Sequence, residues 1–221
     1  MTNAKHQPLR IAVFASGEGT DLQAIIDACK DGRIDGRVVL VISNNRNAGA
    51  LERGRTVGAK AVHWSETRAG SAQRFETELR YILRDAQPEL IVLAGYMKLV
   101  PQAIVKEYEG RMLNVHPALL PKFGGKGYYG MRVHEAVLEA GETESGATVH
   151  FVDAEYDHGV TFMQESVPVQ PDDTPESLRA RVLELEHRLL PAAMARFIEL
   201  RRAGKDPYQE AMNATPTIGR D

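Results

Sequence analysis

Cysteine is nearly missing from this chain: Cys29 is the only one in 221 residues. That excludes a disulfide framework and every cysteine-based zinc site. Long hydrophobic runs are missing too. No stretch reaches the roughly 18 apolar residues of a membrane span, and the polar N-terminal residues 1–8 are not a signal peptide. Neither charge dominates. The net charge is −3, which demands neither nucleic acid nor an anionic membrane as a partner. Internal repeats and low-complexity segments are also lacking. These absences lead us to expect a cytoplasmic protein without nucleic acid or membrane as a partner; the sequence does not fix its oligomeric state, and a monomer or homodimer is expected.

The chain does contain the material for one compact domain, with 43% hydrophobic and 26% charged residues. Short apolar runs at 10–15, 38–42, 60–63, 90–94 and 112–115 read as buried strands. Helical patterns at 48–57, 71–86 and 101–107 alternate with them, as does one carrying Leu22, Ile25, Ile26 and Cys29. This alternation predicts an α/β fold: an open, mostly parallel, doubly wound (Rossmann-like) sheet. The second half changes character. A glycine-rich loop at 117–130 and a helix at 133–140 precede two β-branched runs, 146–152 and 161–169. A polar turn joins those runs, so they predict an antiparallel strand extension in the C-terminal half. A long helix over 174–203 follows, with Asp172, Asp173 and Thr174 as capping candidates and a kink expected at Pro191. Residues 1–9 are expected to be a flexible N-terminus and 204–221 a loose tail. The single domain at 10–203 would divide into a nucleotide-binding half, 10–110, and a catalytic half, 111–203.

Asn114 and His116 mark the expected chemistry. They lie two apart on a strand that Pro117 ends, so they share one face. One is an amide that can donate to a developing oxyanion, and the other titrates near neutrality. For an isolated histidine a satisfied core position is the commoner role. The pairing with Asn114 at a strand's C-terminal end lowers that expectation here. Asp157 lies in a polar turn and needs no function there; folded over His116, it would raise the histidine pKa. Ser16, Gly17, Glu18, Gly19, Thr20 and Asp21 join a strand to a helix start, which suits a phosphate or only a tight turn. The dinucleotide fingerprint is incomplete, and no carboxylate follows the second strand, so a nicotinamide cofactor is disfavoured. His134, His150 and His158 have no ligand spacing, and no metal is expected. Lys122 and Lys126 flank the glycine-rich loop, where solvated lysines are commoner than anion ligands. Leu178, Val182, Leu185 and Leu189 form a core stripe.

Several motifs together carry a resemblance. They are the loop 16–23, the run 92–97, Asn114-x-His116-Pro117-x-Leu119-Leu120-Pro121, the strand 146–152, the pair Tyr156 and Asp157, and the pair Glu186 and His187. Over about residues 11–200 the chain resembles the folate-dependent formyltransferases, and among them the phosphoribosylglycinamide formyltransferase (glycinamide ribonucleotide transformylase) branch. The resemblance implies formyl transfer from 10-formyltetrahydrofolate to the amine of glycinamide ribonucleotide, with no metal. It implies Asn114, His116 and Asp157 as the catalytic trio, Asp157 keeping His116 charged. Gly19, Thr20, Asp21 and Glu186 would bind the nucleotide. Met97, Lys98, Leu99, Val100, Asp153, Ala154, Glu155, Tyr156 and Asp157 would bind the folate.

The chain departs from the family pattern in places. Asp21 stands where asparagine is usual, and Lys98 where arginine is common. The arginine often found early in the third helix falls near Ala72, with Arg74 two residues on. His158, Gly159 and Val160 replace the usual small residue, glycine and proline. Rival expectations are another formyltransferase on the same core, a formyltetrahydrofolate hydrolase, or a non-catalytic nucleotide-binding module. Among these, a formyltransferase acting on methionyl-tRNA is expected to carry a further C-terminal domain, and the hydrolase a further N-terminal one. The third does not need Asn114, His116 and Asp157 together.

Overall fold

The structure, a computed structural model, describes residues 7–214. Its strands are β1 (Leu9–Phe14), β2 (Gly36–Ser43), β3 (Lys60–His63), β4 (Leu90–Leu93), β5 (Met112–His116), β6 (Glu144–Phe151) and β7 (Thr161–Pro168). They form one sheet in the order β3-β2-β1-β4-β5-β6-β7. The first five are parallel, while β6 and β7 add antiparallel strands beside β5. The fold class is the one the apolar runs predict.

The helices are α1 (Thr20–Lys30), α2 (Gly49–Thr56), α3 (Glu66–Ala69), α4 (Ala72–Ala86), α5 (Gln102–Glu107), α6 (Met131–Glu139), α7 (Pro175–Arg202) and α8 (Pro207–Ala214). They cover both faces of the sheet, and alternation along each strand feeds two cores. On β1, Ile11 and Val13 pack into the core shared with α1, α2 and α7, and Ala12 and Phe14 into the core under α4 and α5. α7 is the principal brace. Thr174 and Ser177 close a capping box with Pro175 in the first turn, and the helix runs through Pro191 without a break. Leu178, Val182, Leu185 and Leu189 are fully buried along it, each contributing roughly 1.5–3 kcal/mol. This anchored stripe fixes the adjoining edge of α7, about 100° round the helix, whose Arg179, Leu183 and Glu186 line the cavity described below.

Two boundary expectations are corrected. The loose tail expected from 204 contains α8: Asp206 accepts from the Tyr208 N–H, and Pro207 and Ala211 are buried. Tyr208 meets Phe151 edge to face at 5.1 Å, which ties α8 to the core. Leu9, placed in the flexible N-terminus, opens β1 and is buried against the sheet. Residues 1–6 and 215–221 of those two segments lie outside the described residues. No helix among the described residues is long and apolar enough to cross a membrane.

Candidate active site

The sheet order reverses direction between β1 and β4, and a crevice opens there at the strands' C-terminal ends. It is a cavity of about 610 Å³. The turn after β1, the turn after β4 and the end of β5 supply its floor, and α6, α7 and the glycine-rich loop its walls.

Asn114, His116 and Asp157 converge on that floor. Asp157 Oδ2 lies 3.4 Å from His116 Nδ1, and Asp157 Oδ1 accepts from Asn114 Nδ2 at 3.3 Å. Asp157 has φ 54°, a left-handed conformation that aspartate tolerates better than most residues. Its Oδ2 also accepts from the Gly125 N–H at 3.0 Å, so the turn and the glycine-rich loop meet over the histidine. His150 joins the group because β6 pairs antiparallel with β5 and sets it opposite Asn114. Its Nδ1 faces the Phe151 carbonyl at 2.9 Å and must therefore carry the proton. Nε2 lies 3.0 Å from Asn114 Nδ2 and 3.6 Å from Asp157 Oδ1. This chain of bonds decides which way the Asn114 amide faces. Its nitrogen points at His150 and Asp157.

The net shift of the His116 pKa is downward, although Asp157 pulls it up as expected. Nε2 lies 2.7 Å from the Phe123 carbonyl and donates to it, which leaves Nδ1 toward Asp157. Burial pushes the imidazole below its ordinary pKa. The Asp157 carboxylate and the Phe123 carbonyl pull the other way without overcoming it, and His150 adds to the fall. The upward pull of Asp157 on His116 is thus outweighed by desolvation, which a sequence pattern does not reveal. For Asp157, burial raises the pKa, but His150, His116 and the Gly125 N–H together hold it below the ordinary carboxylate value.

At the other end of the cavity the turn after β1 delivers the N-terminus of α1. Gly19 caps it at φ 74°, and a Cβ there would lie 2.7 Å from Ala50 Cβ. Both conditions require glycine. No side chain caps the helix, so its first N–H groups stay available. α2 props the turn: the Ala50 N–H reaches the Gly17 carbonyl at 3.2 Å, and Arg53 Nε the Glu18 carbonyl at 2.8 Å. Ser16 ties the strand ends together, its Oγ donating to Asn44 Oδ1 and accepting from the Met97 N–H. Gly19, Thr20, Asp21 and Glu186 all line the cavity. The Asp21 carboxylate, however, turns onto α7, with Oδ1 3.6 Å from His187 Nε2. Burial raises the pKa of Asp21, with His187 opposing it. Glu186 is raised well above its ordinary value by burial and then by Asp21, with Arg179 opposing.

The residues expected to meet folate divide into groups. Met97, Tyr156 and Asp157 line the cavity. Lys98 and Leu99 line a second cavity of about 870 Å³, bordered by Asn45, Arg68, Ser71 and Tyr96. Val100 is buried beneath the β4 turn, in the core with Ile104. Asp153, Ala154 and Glu155 line neither cavity. Asp153 is engaged inside its own turn, accepting from the Glu155 N–H and pairing with His158. Of the loop lysines, Lys126 lines the main cavity and Lys122 pairs with Glu142.

Sequence reasoning missed His150, His134, Arg179 and the Phe123 carbonyl. His134 stands on α6 and is almost fully buried in the cavity wall, with no hydrogen-bond partner for Nδ1 among the described residues. Burial, then the Arg179 charge and the neighbouring His116, push its pKa from 6.5 to about 4. Between those values the unfolded chain takes up a proton that the folded protein refuses. Stability is therefore fully present above pH 6.5 and is lost as pH falls toward 4. With a discount for cavity solvent, the loss is on the order of 2 kcal/mol. Urea titrations across that window should show it, and His134→Gln should remove most of the slope. Among the described residues no group of three or more His, Cys, Asp or Glu is placed to hold a metal ion.

Fold and site together define an α/β protein with an amide, an imidazole and a carboxylate set for acyl-type chemistry beside an anion-accepting helix end. A family model described as Formyl transferase matches residues 9–194, and the chain belongs to the formyl transferase family. It is 41% identical over 201 residues to the chloroplastic phosphoribosylglycinamide formyltransferase of Arabidopsis thaliana, covering 90% of this chain and 69% of that protein. It is 39% identical over 191 residues to the phosphoribosylglycinamide formyltransferase of Escherichia coli K12, covering 86% of this chain and 88% of that protein. Among solved structures, glycinamide ribonucleotide transformylase 1 from Symbiobacterium toebii matches with a TM-score of 0.83 and 42% identity, covering 90% of this chain and 93% of that one.

Proposed function

We propose that this protein transfers the formyl group of 10-formyltetrahydrofolate to the amine of 5′-phosphoribosylglycinamide, a step of de novo purine biosynthesis. The observation that carries this is the arrangement of one cavity: Asn114, His116 and Asp157 at one end and the uncapped N-terminus of α1 at the other. It occurs in a chain about 40% identical to enzymes named for that reaction.

The nucleotide phosphate sits on Gly19, Thr20 and Asp21, where free backbone N–H groups and the helix dipole favour an anion. Glu186, whose pKa burial raises well above the ordinary carboxylate value, faces the glycinamide end. The folate lies against Met97 and Tyr156, and its tail runs toward Lys98 and Leu99. Residues 10–110 thus supply most of the nucleotide end and 111–203 most of the transfer end; Glu186 and Met97 cross that division.

The amine attacks the formyl carbon, whose oxygen becomes an oxyanion. Asn114 Nδ2 and His116 donate to that oxygen. In the free site those donors serve His150, Asp157 and the Phe123 carbonyl, so the oxygen takes over bonds already oriented for it. A nascent oxyanion beside Asp157 also favours imidazolium, opposing the effect of burial on His116. Asp157, held ionised, accepts the proton that the amine sheds as the new carbon–nitrogen bond forms. The old bond to N10 breaks as Asp157 passes that proton on to N10, which leaves Asp157 ionised again.

The test is substrate dependence. The purified protein should consume 10-formyltetrahydrofolate only when phosphoribosylglycinamide is present, and glycinamide riboside without phosphate should be a much poorer acceptor. Formate release in the absence of any acceptor would favour a hydrolase instead.

A further inference from the structure

Asp21 is a carboxylate in the first turn of the helix on which, in the function proposed above, a phosphate sits. Two like charges there would repel, and the geometry around Asp21 shows how the conflict is relieved. Its side chain leaves the turn and crosses to α7, where Oδ1 faces His187 Nε2 at 3.6 Å. Both atoms are buried, and neither has a hydrogen-bond partner among the described residues. Two orphaned polar atoms confronting each other are unfavourable unless a proton lies between them. One proton on His187 Nε2 and a small closing movement satisfy both. With His187 as the imidazolium, protonated on both ring nitrogens, the pair carries no net charge and the α1 N-terminus keeps its positive field.

We propose that His187 is a positioning residue for the phosphate end of the substrate, drawing the charge of Asp21 onto α7 so that a carboxylate stands in the first turn of α1 without repelling the phosphate. The surrounding groups agree with this. Glu186, the neighbour on α7, is nearly fully buried and is disfavoured as an anion beside Asp21, so it adds little negative charge. Arg179, two turns earlier on α7, lines the same cavity with a permanent positive charge. The Asp21–His187 contact also links the two helices that frame the substrate's two ends, α1 for the phosphate and α7 for the glycinamide.

A double-mutant cycle tests this. His187→Gln keeps a hydrogen-bond donor of similar length and drops the charge. In the otherwise natural protein it should raise KM for phosphoribosylglycinamide by about tenfold or more, with kcat changed little and KM for 10-formyltetrahydrofolate unmoved. In the Asp21→Asn background the same His187→Gln change should raise that KM by less than about twofold, because no carboxylate charge remains to be drawn away. His187→Ala, taken through the same cycle, serves as the second variant, and thermal melting establishes which variants fold. An equal cost in both backgrounds, a loss confined to kcat, or no cost in either would overturn the proposal. Failure of the natural protein to formylate phosphoribosylglycinamide at all would instead overturn the function on which it rests.

Discussion

Replacing His116 with alanine is expected to lower kcat/KM for formyl transfer by at least about 10²-fold, the usual scale for an acid–base or oxyanion group. The loss should fall mainly on kcat, because the donor acts on an oxygen that becomes charged only in the transition state. Asn114→Ala should behave alike. The double variant should lose less than the product of the two, since both groups serve one oxygen and share Asp157. His116 also holds the glycine-rich loop through Phe123, so the variant needs a melting curve and measured binding of both substrates beside its rate. Full rate in a folded His116→Ala protein would remove the imidazole from the chemistry.

Gly159→Ala should be nearly as damaging without touching a reacting group. A Cβ at 159 would sit 1.8 Å from the Phe151 carbonyl oxygen and 2.8 Å from its carbon. These are backbone atoms at the end of β6, where the Phe151 N–H also bonds to the Val160 carbonyl at 2.9 Å. No side-chain rotation relieves such a contact, so the turn must lift. Asp157 stands two residues away in a conformation that already needs support from the Gly125 N–H. A displacement of about 1 Å in a positioned catalytic group costs on the order of 10² in rate. We expect a loss of that size in kcat/KM, together with destabilisation of roughly 1–3 kcal/mol or more from overpacking. Steady-state kinetics with thermal melts check both. A variant with natural rate and stability would mean that the turn does not hold Asp157 as described.

The sheet was legible because its signals are local. Short apolar runs ending in small or polar residues mark buried parallel strands, and period-two spacing put Asn114 and His116 on one face before any contact was known. His150 was not legible, because only the β5–β6 register brings it opposite Asn114. The Phe123 carbonyl is a backbone atom, which no side-chain pattern announces. His134 and Arg179 sit on helices whose apolar stripes are plain, but which edge of each helix meets the cavity depends on how α6 and α7 pack. The upward pull of Asp157 on His116 is legible from the sequence, whereas the burial that opposes it is not. Gly159 looked like an ordinary turn glycine, whereas the close approach of a carbonyl is what excludes a side chain. For α8 the sequence does hold a signal, Asp206 before Pro207, a capping residue followed by a proline in the first turn.

Formyl transfer to the nucleotide amine is tested most directly by following the carbon itself. The protein is mixed with phosphoribosylglycinamide and 10-formyltetrahydrofolate labelled with ¹³C in the formyl group, and the products are read by NMR and mass spectrometry. The label is expected on the glycinamide nitrogen, in step with loss of the labelled folate, and to be nearly abolished in the His116→Ala and Asp157→Ala proteins. Label appearing as free formate, or remaining on the folate with the nucleotide unchanged, would contradict the assignment.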